Sequence, residues 1–254
     1  TLVSAGSTLG SAVTGVALGD SCTTASVRSV TIGRGNTTSA STCIALGRNN
    51  KCVGVVSTAL GQNCVSNGNY STAIGSNATT GFGVLGSFVF ADDSVSTVFT
   101  NNTIRSFKAR ASNGIYFYTN ASCSMGAYIY GGSGSWSSVS DRRKKENFKD
   151  LKNEWVLQKL MQVKITSWNY KTQEKNIRHI GPMAQDFYHA YHLGEGRKSI
   201  STLDADGIIL SGIQAIDGRL SKLNNIHSMD ELKDDMKELN GFEDLEERIS
   251  ALEE

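Results

Sequence analysis

The first third of the sequence repeats one pattern of small, aliphatic and glycine positions. A triplet of a small or β-branched residue, an aliphatic residue and glycine recurs every 14 residues, at Ala17-Leu18-Gly19, Thr31-Ile32-Gly33, Ala45-Leu46-Gly47, Ala59-Leu60-Gly61 and Ala73-Ile74-Gly75. Looser copies stand at Thr8-Leu9-Gly10 and Val84-Leu85-Gly86. A fixed period of this kind is typical of stacked repeats, in which each unit buries its apolar face against its neighbours.

Fourteen residues accommodate two strands of about five residues and two tight turns, so each repeat is predicted to be one coil of a β-roll. A polar turn such as Gln62-Asn63 or Ser76-Asn77 follows each glycine, and Asn and Gly tolerate a positive φ. A small residue or cysteine then follows, as at Cys22, Cys64 and Ala78, and we interpret these cysteines as small hydrophobes that face inward. A low-complexity polar linker is the alternative, but disorder does not enforce a register of aliphatic residues.

The Ala-Ile-Gly-Ser-Asn-Ala string at residues 73–78, with its 14-residue period, resembles the head repeats of trimeric autotransporter adhesins of the YadA type. The resemblance implies a homotrimer whose three chains form a left-handed parallel β-roll, which we expect over residues 1–87. Residues 88–139 lose the period but keep strand-like alternation, and they end in a glycine- and serine-rich run. They are predicted to form a β-rich neck and a flexible connection.

The distribution of charge divides the chain near residue 140. Residues 1–139 contain 10 charged residues and no glutamate, whereas residues 140–254 contain the other 39, so a single uniform core is excluded. The net charge of +1 gives no electrostatic case for nucleic-acid binding, and no apolar run is long enough to span a bilayer. We therefore expect neither nucleic acid nor membrane insertion. The abrupt serine- and glycine-rich start suggests the end of a longer chain.

The residues with metal-binding side chains do not form a recognisable site. The five cysteines are an odd number without a Cys-x-x-Cys pair, which indicates neither a zinc site nor a disulfide framework. His179, His189 and His192 have no carboxylate or cysteine at ligand spacing, so packing or surface roles are favoured. No metal and no cofactor are expected.

A motif whose residue types could carry out a reaction begins directly after the neck, with Ser140-Asp141-Arg142-Arg143-Lys144-Lys145-Glu146-Asn147-Phe148. Taken alone, Ser-Asp before charged residues is typical of a helix amino-terminal cap. The segment resembles the start of the endosialidase-type intramolecular chaperone domain of phage tail spikes and fibres, Ser-Asp-x-Arg-Leu-Lys-x-Asn-Ile. Lys144 replaces the leucine and Phe148 the isoleucine. Further blocks of the same family follow in order at residues 168–170, 179–187 and 204–208.

The resemblance implies an α+β domain over residues 140–226 that trimerises, templates the folding of the upstream fibre and then cuts itself away. It assigns Ser140 as the nucleophile, Lys145 as the base and the bond between Val139 and Ser140 as the cleavage site. The motif residues that support this dyad are Asp141, Arg143 and Asn147. The expected activity is that of a single-turnover serine peptidase acting within its own trimer.

The chemistry of the pair is consistent with this role. A serine hydroxyl becomes a nucleophile when a base removes its proton, and a lysine that burial or neighbouring cations keep neutral can be that base. Arg142, Arg143 and Lys144 are such cations. Ser140 would attack the carbonyl of Val139, leaving an ester for water or aiding direct cleavage. Residues five apart on a regular helix differ by about 500°, so the pair requires a non-helical start at Ser140.

The last residues are predicted to be helical, with apolar residues at steps of three and four. These stripes comprise Ile213, Ile216, Leu220 and Leu223, then Leu232, Met236 and Leu239, then Leu245, Ile249 and Leu252. Such steps are typical of a coiled coil. From Ser228 onward the chain has 11 acidic and three basic residues, so residues 227–254 form an acidic helical tail. This tail is either a solvated face or a contact for basic or polar fibre surface during folding.

The sequence therefore predicts the carboxyl-terminal part of a homotrimeric fibre with a self-cleaving chaperone. The fibre belongs to a virion tail or to a secreted or cell-surface assembly, and its expected partner is a receptor or glycan on a host or prey cell. The alternative is a structural or adhesive fibre that trimerises without cleavage. The replacement of the family's leucine by Lys144 beside the dyad is consistent with this alternative. A glycan-degrading spike is disfavoured, because residues 1–139 offer only Asp20, Asp92 and Asp93 as carboxylates.

Overall fold

The structure, a computed structural model, describes residues 2–3, 6–10 and 14–224. Its strands are, in chain order, β1 (Leu2–Val3), β2 (Thr8–Leu9), β3 (Val16–Asp20), β4 (Thr23–Thr24), β5 (Val30–Arg34), β6 (Thr37–Thr38), β7 (Ile44–Arg48), β8 (Lys51–Cys52), β9 (Thr58–Gln62), β10 (Val65–Ser66), β11 (Thr72–Ser76), β12 (Ala78–Thr80), β13 (Phe88–Ala91), β14 (Phe99–Asn101), β15 (Phe107–Arg110), β16 (Gly114–Tyr118), β17 (Gly126–Tyr130), β18 (Ser137–Ser138), β19 (Ile165–Trp168) and β20 (His179–Pro182). The helices are α1 (Asn153–Leu160), α2 (Ala184–Tyr191) and α3 (Thr202–Asn224), and a 3₁₀ turn spans Arg142–Lys144. The chain divides into two compact units, Thr1–Lys144 and Lys145–Glu254.

The first unit is a β-solenoid, which confirms the repeat architecture predicted from the 14-residue period. Odd-numbered strands from β1 to β15 form one parallel sheet of eight strands, and even-numbered strands from β2 to β14 form a second parallel sheet of seven. Each regular coil contributes one five-residue strand and one two-residue strand rather than two strands of about five. The repeat glycines are in register from coil to coil, as in the pairing of Gly47 with Gly61.

The interior of the solenoid is narrow and is filled by small side chains that form ladders from one coil to the next. The fully buried or nearly fully buried residues of these ladders are Ala17, Thr31, Ala45, Ala59 and Ala73; Cys22, Asn36, Asn50, Cys64 and Ala78; Thr24, Thr38, Cys52, Ser66 and Thr80; and Ser29, Cys43, Ser57, Ser71 and Ser87. The inward interpretation of the repeat cysteines is confirmed. Cys123, which lies outside the repeat, is exposed.

Glycine recurs in the triplet because the next coil comes too close for a side chain. Gly47 has a φ of +115°, which strains residues with a Cβ, and a Cβ added there would lie 2.1 Å from the carbonyl oxygen of Gly61. The aliphatic residue before each glycine points outward, so Leu46 is only half-buried although Ala45 beside it is completely buried.

The solenoid continues past residue 87, where the sequence analysis placed its end. β13 and β15 pair in parallel with register Phe88 to Phe107, and β14 extends the second sheet. The neck proper is the antiparallel sheet β16-β17-β18. Its glycine-rich run, expected to be a flexible connection, is the loop of the hairpin that joins β17 to β18, with the Ser133 N–H donating to the Tyr130 carbonyl at 2.9 Å.

The second unit has the predicted α+β composition. Its core contains Val156, Val163, Phe187, Tyr191 and Ile208, and the Tyr191 hydroxyl donates to the Val156 carbonyl at 3.0 Å. β19 and β20 form an antiparallel hairpin.

Polar contacts join α1 to α3. The Ser211 hydroxyl donates to Asn153 at 2.8 Å, and the Arg219 guanidinium contacts the Glu154 carboxylate at 2.6 Å. α3 is the long helix of the unit, with 23 residues.

The acidic tail at 227–254, with the stripes at Leu232–Leu239 and Leu245–Leu252, lies outside the described residues. No helix in the described part of the chain is long and apolar enough to cross a membrane.

Candidate active site

The expected cleavage site lies where the neck sheet ends. Ser137 and Ser138 form β18 and pair with Tyr128 and Ala127 of β17. The Val139 N–H donates to the Gly126 carbonyl at 3.1 Å, which extends the pairing by one residue. Ser140 is the next residue, exposed and outside any strand or helix. The bond between Val139 and Ser140 therefore joins a residue bonded to the sheet to one that follows it.

Asp141 begins the turn that follows. Its carboxylate accepts the Arg143 backbone N–H at 2.9 Å, as a cap accepts the first donors of a helix, and the 3₁₀ turn Arg142–Lys144 starts directly after it. Ser140 is thus not part of a helix, as expected from the sequence, and the pairing of Ser140 with Lys145 stays a prediction.

Arg143 and Asp141 also form a fork of hydrogen bonds between their side chains. The guanidinium Nη2 donates to Asp141 Oδ2 at 2.9 Å, and Nε lies 3.2 Å from each carboxylate oxygen. These bonds, and after them the Arg143 backbone N–H, hold the pKa of Asp141 below its ordinary value. Two of the three supporting residues named from the sequence are therefore in direct contact.

Lys145 and Asn147 follow the turn and are exposed. Ser140 belongs to the first compact unit, and Lys145 is the first residue of the second. Asn147 has a φ of 56°, a left-handed conformation that asparagine tolerates better than most residues with a Cβ. The third supporting residue thus occupies a position with a left-handed backbone.

The sequence blocks at residues 168–170 and 179–187 form an aromatic cluster on the β19–β20 hairpin, a grouping that the sequence did not predict. The rings of Trp168 and His179 lie 4.8 Å apart, and Tyr170 packs edge-on against Trp168 at 4.8 Å. His179 Nε2 lies 2.9 Å from Gln173 Oε1. Trp168 and His179 face each other across the register of the hairpin, so strand pairing places the two blocks together.

His189 lies on α2 and His192 directly follows it. His192 caps the carboxyl end of this helix with a φ of 54° and packs on Tyr188 at 5.5 Å. Among the described residues, no group of three or more His, Cys, Asp or Glu side chains is arranged to hold a metal ion.

The comparison with protein families matches this part of the chain. Residues 140–192 match the family model described as the chaperone of endosialidase. The matched range begins at Ser140 and ends at the carboxyl cap of α2, so it contains the Asp141–Arg143 fork and the aromatic cluster. The block at residues 204–208, in α3, lies beyond the matched range. No curated protein matches the chain.

Proposed function

We propose that this chain is part of a homotrimeric fibre whose endosialidase-type chaperone region drives trimerisation and folding and then releases itself by cleavage between Val139 and Ser140. The observation that carries the proposal is the position of the family match. It begins at Ser140, the residue after Val139, whose N–H donates to the Gly126 carbonyl of the neck sheet. The boundary of the chaperone region and the end of the neck thus coincide at the proposed scissile bond.

The cleavage proceeds through an ester in this account. Lys145 in its neutral form accepts the proton of the Ser140 hydroxyl, and Ser140 Oγ attacks the Val139 carbonyl carbon. The bond from Val139 to the Ser140 nitrogen breaks as that nitrogen takes up the proton, which leaves Val139 esterified to Ser140 Oγ and a new α-amine on Ser140. Water then hydrolyses the ester, giving a carboxylate on Val139 and restoring the serine hydroxyl.

An exposed apolar stripe on α3 supports the homotrimer. Its residues follow steps of four and three and are 42 to 56% exposed, although the helix buries Ile208 and Ala215 on a neighbouring face. They are Ile209, Ile213, Ile216, Leu220 and Leu223. Steps of this kind place apolar residues on the seam of a coiled coil, and isoleucine at both seam positions favours more than two strands. We therefore propose that this stripe packs against the same stripe of two other copies of the chain.

The outer face of the solenoid supports the same assembly. The aliphatic residues of successive triplets pair across neighbouring strands, forming one outward ladder of Leu18, Ile32, Leu46, Leu60, Ile74 and Phe90. Beside it, Phe88 stacks on Phe107 at 5.0 Å, and Phe107 is 68% exposed. A long apolar ladder of this kind is typical of an interface, because monomers rarely leave large apolar patches in water.

The proposed location is a phage tail fibre or a secreted or cell-surface fibre. Residues upstream of Ser140 form the fibre shaft in this account and would contact a receptor or glycan on a host or prey cell. The chaperone region acts during assembly and is not needed in the finished fibre.

Three variants test the proposed chemistry. Ser140→Ala removes the nucleophile, and Lys145→Arg keeps a positive charge but removes a side chain that can become neutral, so both should leave a full-length chain on a denaturing gel. Lys144→Ala is the control, with the loss of one lysine at the preceding position, and should still be cut, because Arg142 and Arg143 remain beside Lys145. Cleavage of Ser140→Ala, or loss of cleavage in Lys144→Ala with normal cleavage in Lys145→Arg, would contradict the assignment.

A further inference from the structure

The Asp141 carboxylate forms a dense set of hydrogen bonds with Arg143. It accepts four hydrogen bonds, one from the Arg143 backbone N–H and three from the Arg143 guanidinium, at distances of 2.9 to 3.2 Å. Both oxygens are used. One residue thus fixes the backbone and the side chain of the residue two positions further along the chain.

This contact lies in the segment between the proposed nucleophile and the proposed base. Ser140 and Lys145 are separated by Asp141 and the three residues of the 3₁₀ turn, so the conformation of this turn sets the path from the proposed nucleophile to the proposed base. A single turn has little stability of its own, because few hydrogen bonds offset the ordering of its backbone. Its geometry therefore depends on the capping carboxylate.

Global stability does not explain the contact. The Arg143 side chain is 88% exposed and that of Asp141 34% exposed, and ion pairs in water contribute little to the free energy of unfolding. The turn itself contains no buried residue. The effect of the carboxylate is consequently local.

We infer that Asp141 is a positioning residue for self-cleavage, which caps the Arg142–Lys144 turn and so sets the approach of Lys145 to Ser140. The inference rests on the proposed function and adds a role for a residue that does not react. Rates of intramolecular reactions depend steeply on the placement of the reacting groups. Loss of the cap should therefore slow cleavage without unfolding either unit.

Two substitutions at the same residue separate positioning from electrostatics. Asp141→Asn and Asp141→Ala remove the same negative charge, but only asparagine retains an oxygen that accepts the Arg143 backbone N–H. Each full-length variant is pulse-labelled in cell-free synthesis and then followed on denaturing gels after transfer to buffers from pH 6 to pH 9. Asp150→Ala, which removes an exposed carboxylate further along the same segment, is the matched control.

The expected result is a loss of rate in only one variant. Asp141→Ala should lower the high-pH plateau of the cleavage rate roughly 10- to 100-fold. Asp141→Asn should stay within about threefold of wild type, because amide and carboxylate oxygens cap helices about equally. Asp150→Ala should match wild type, and the thermal unfolding midpoint of Asp141→Ala should be unchanged.

Three results would overturn the inference: equal plateaus for Asp141→Ala and wild type, equal losses in the two Asp141 variants, or a lowered unfolding midpoint that accounts for the loss. Each leaves the proposed function intact, provided that Ser140→Ala stays uncut in the same assay. Cleavage of Ser140→Ala would instead contradict the proposed function itself.

Discussion

One interior position of the solenoid carries asparagine or cysteine in four successive coils, and in each of them the side chain donates to the carbonyl of the next coil's repeat glycine. The Asn36 and Asn50 side chains each donate at 2.7 Å to the glycine carbonyl 11 residues further along, and the thiols of Cys22 and Cys64 lie 3.3 and 3.2 Å from the corresponding oxygens. Asn50 also donates to the Leu46 carbonyl and accepts the Cys64 N–H. These side chains act as internal connectors between coils.

Asn50→Ala should strongly destabilise the solenoid. It leaves the buried Cys64 N–H and the partly buried Leu46 and Gly61 carbonyls without this partner, and an unsatisfied buried group costs roughly 1–3 kcal/mol. Asn50→Cys should be milder, because a thiol at the equivalent positions reaches the same carbonyl. Lys51→Ala, at an exposed neighbour, is the control and should have little effect. Thermal unfolding measures all three, and a midpoint for Asn50→Ala equal to that of Lys51→Ala would contradict the connector role.

The cysteines should divide sharply in their reactivity toward iodoacetamide. Burial is the main cause that raises the pKa of Cys52 to about 12, and it also raises the pKa of Cys64, so the reactive thiolate is scarce at pH 8. Cys123 is exposed. Peptide mapping after labelling of the native protein should find only Cys123 modified, and all five cysteines after denaturation. Native labelling of Cys52 as fast as Cys123 would contradict the inward placement.

At the scale of elements, the apolar stripe of α3 makes the most specific claim. Ile213→Glu should prevent trimer formation, because each copy would bring a carboxylate to the centre of the seam; we expect the dissociation constant to rise more than about 100-fold. Leu210→Glu introduces the same charge at a leucine that is 62% exposed but outside the stripe, and it should leave the trimer intact. Sedimentation velocity in the Ser140→Ala background distinguishes them, and equal behaviour of the two variants would refute the seam.

The elements differ in how far the sequence predicts them. The 14-residue period predicts the coils because a narrow interior admits only small residues at fixed positions. It does not predict where the solenoid ends, since the coils lengthen after Gly75 while parallel pairing continues from Phe88 to Phe107. The glycine-rich run is typical both of a connection and of a hairpin loop, and only the pairing of β18 with β17 distinguishes the two.

The candidate site was likewise predicted in its residues but not in its contacts. Its residue types and order resemble the chaperone family, and that resemblance selects Ser140, Asp141 and Arg143 as candidates whose roles stay predictions. The fork between Asp141 and Arg143 was not predicted, because an exposed turn allows many side-chain arrangements and no periodic pattern specifies one. The pairing of Trp168 with His179 was not predicted either, because it depends on the register of a hairpin whose strands are separated by a long loop.

At the scale of the whole molecule, the account requires the second unit during folding and not afterwards. Three polar, glycine-rich chains must reach a common register before contacts between them offset the entropy of ordering them. A region that trimerises first raises the local concentration of the chains. Residues 1–139 expressed alone should therefore aggregate or stay monomeric, whereas the same residues released from the full chain should remain trimeric. Analytical ultracentrifugation compares the two, and well-formed trimers of separately expressed residues 1–139 would exclude a folding template.

Native mass spectrometry of the protein produced from the full sequence tests the central claim most directly, because it measures processing and assembly together. The account predicts a trimer of chains that end at Val139, and a second product of 115 residues that begins at Ser140. Trimers of intact 254-residue chains, or a first product that ends at any other residue, would contradict it.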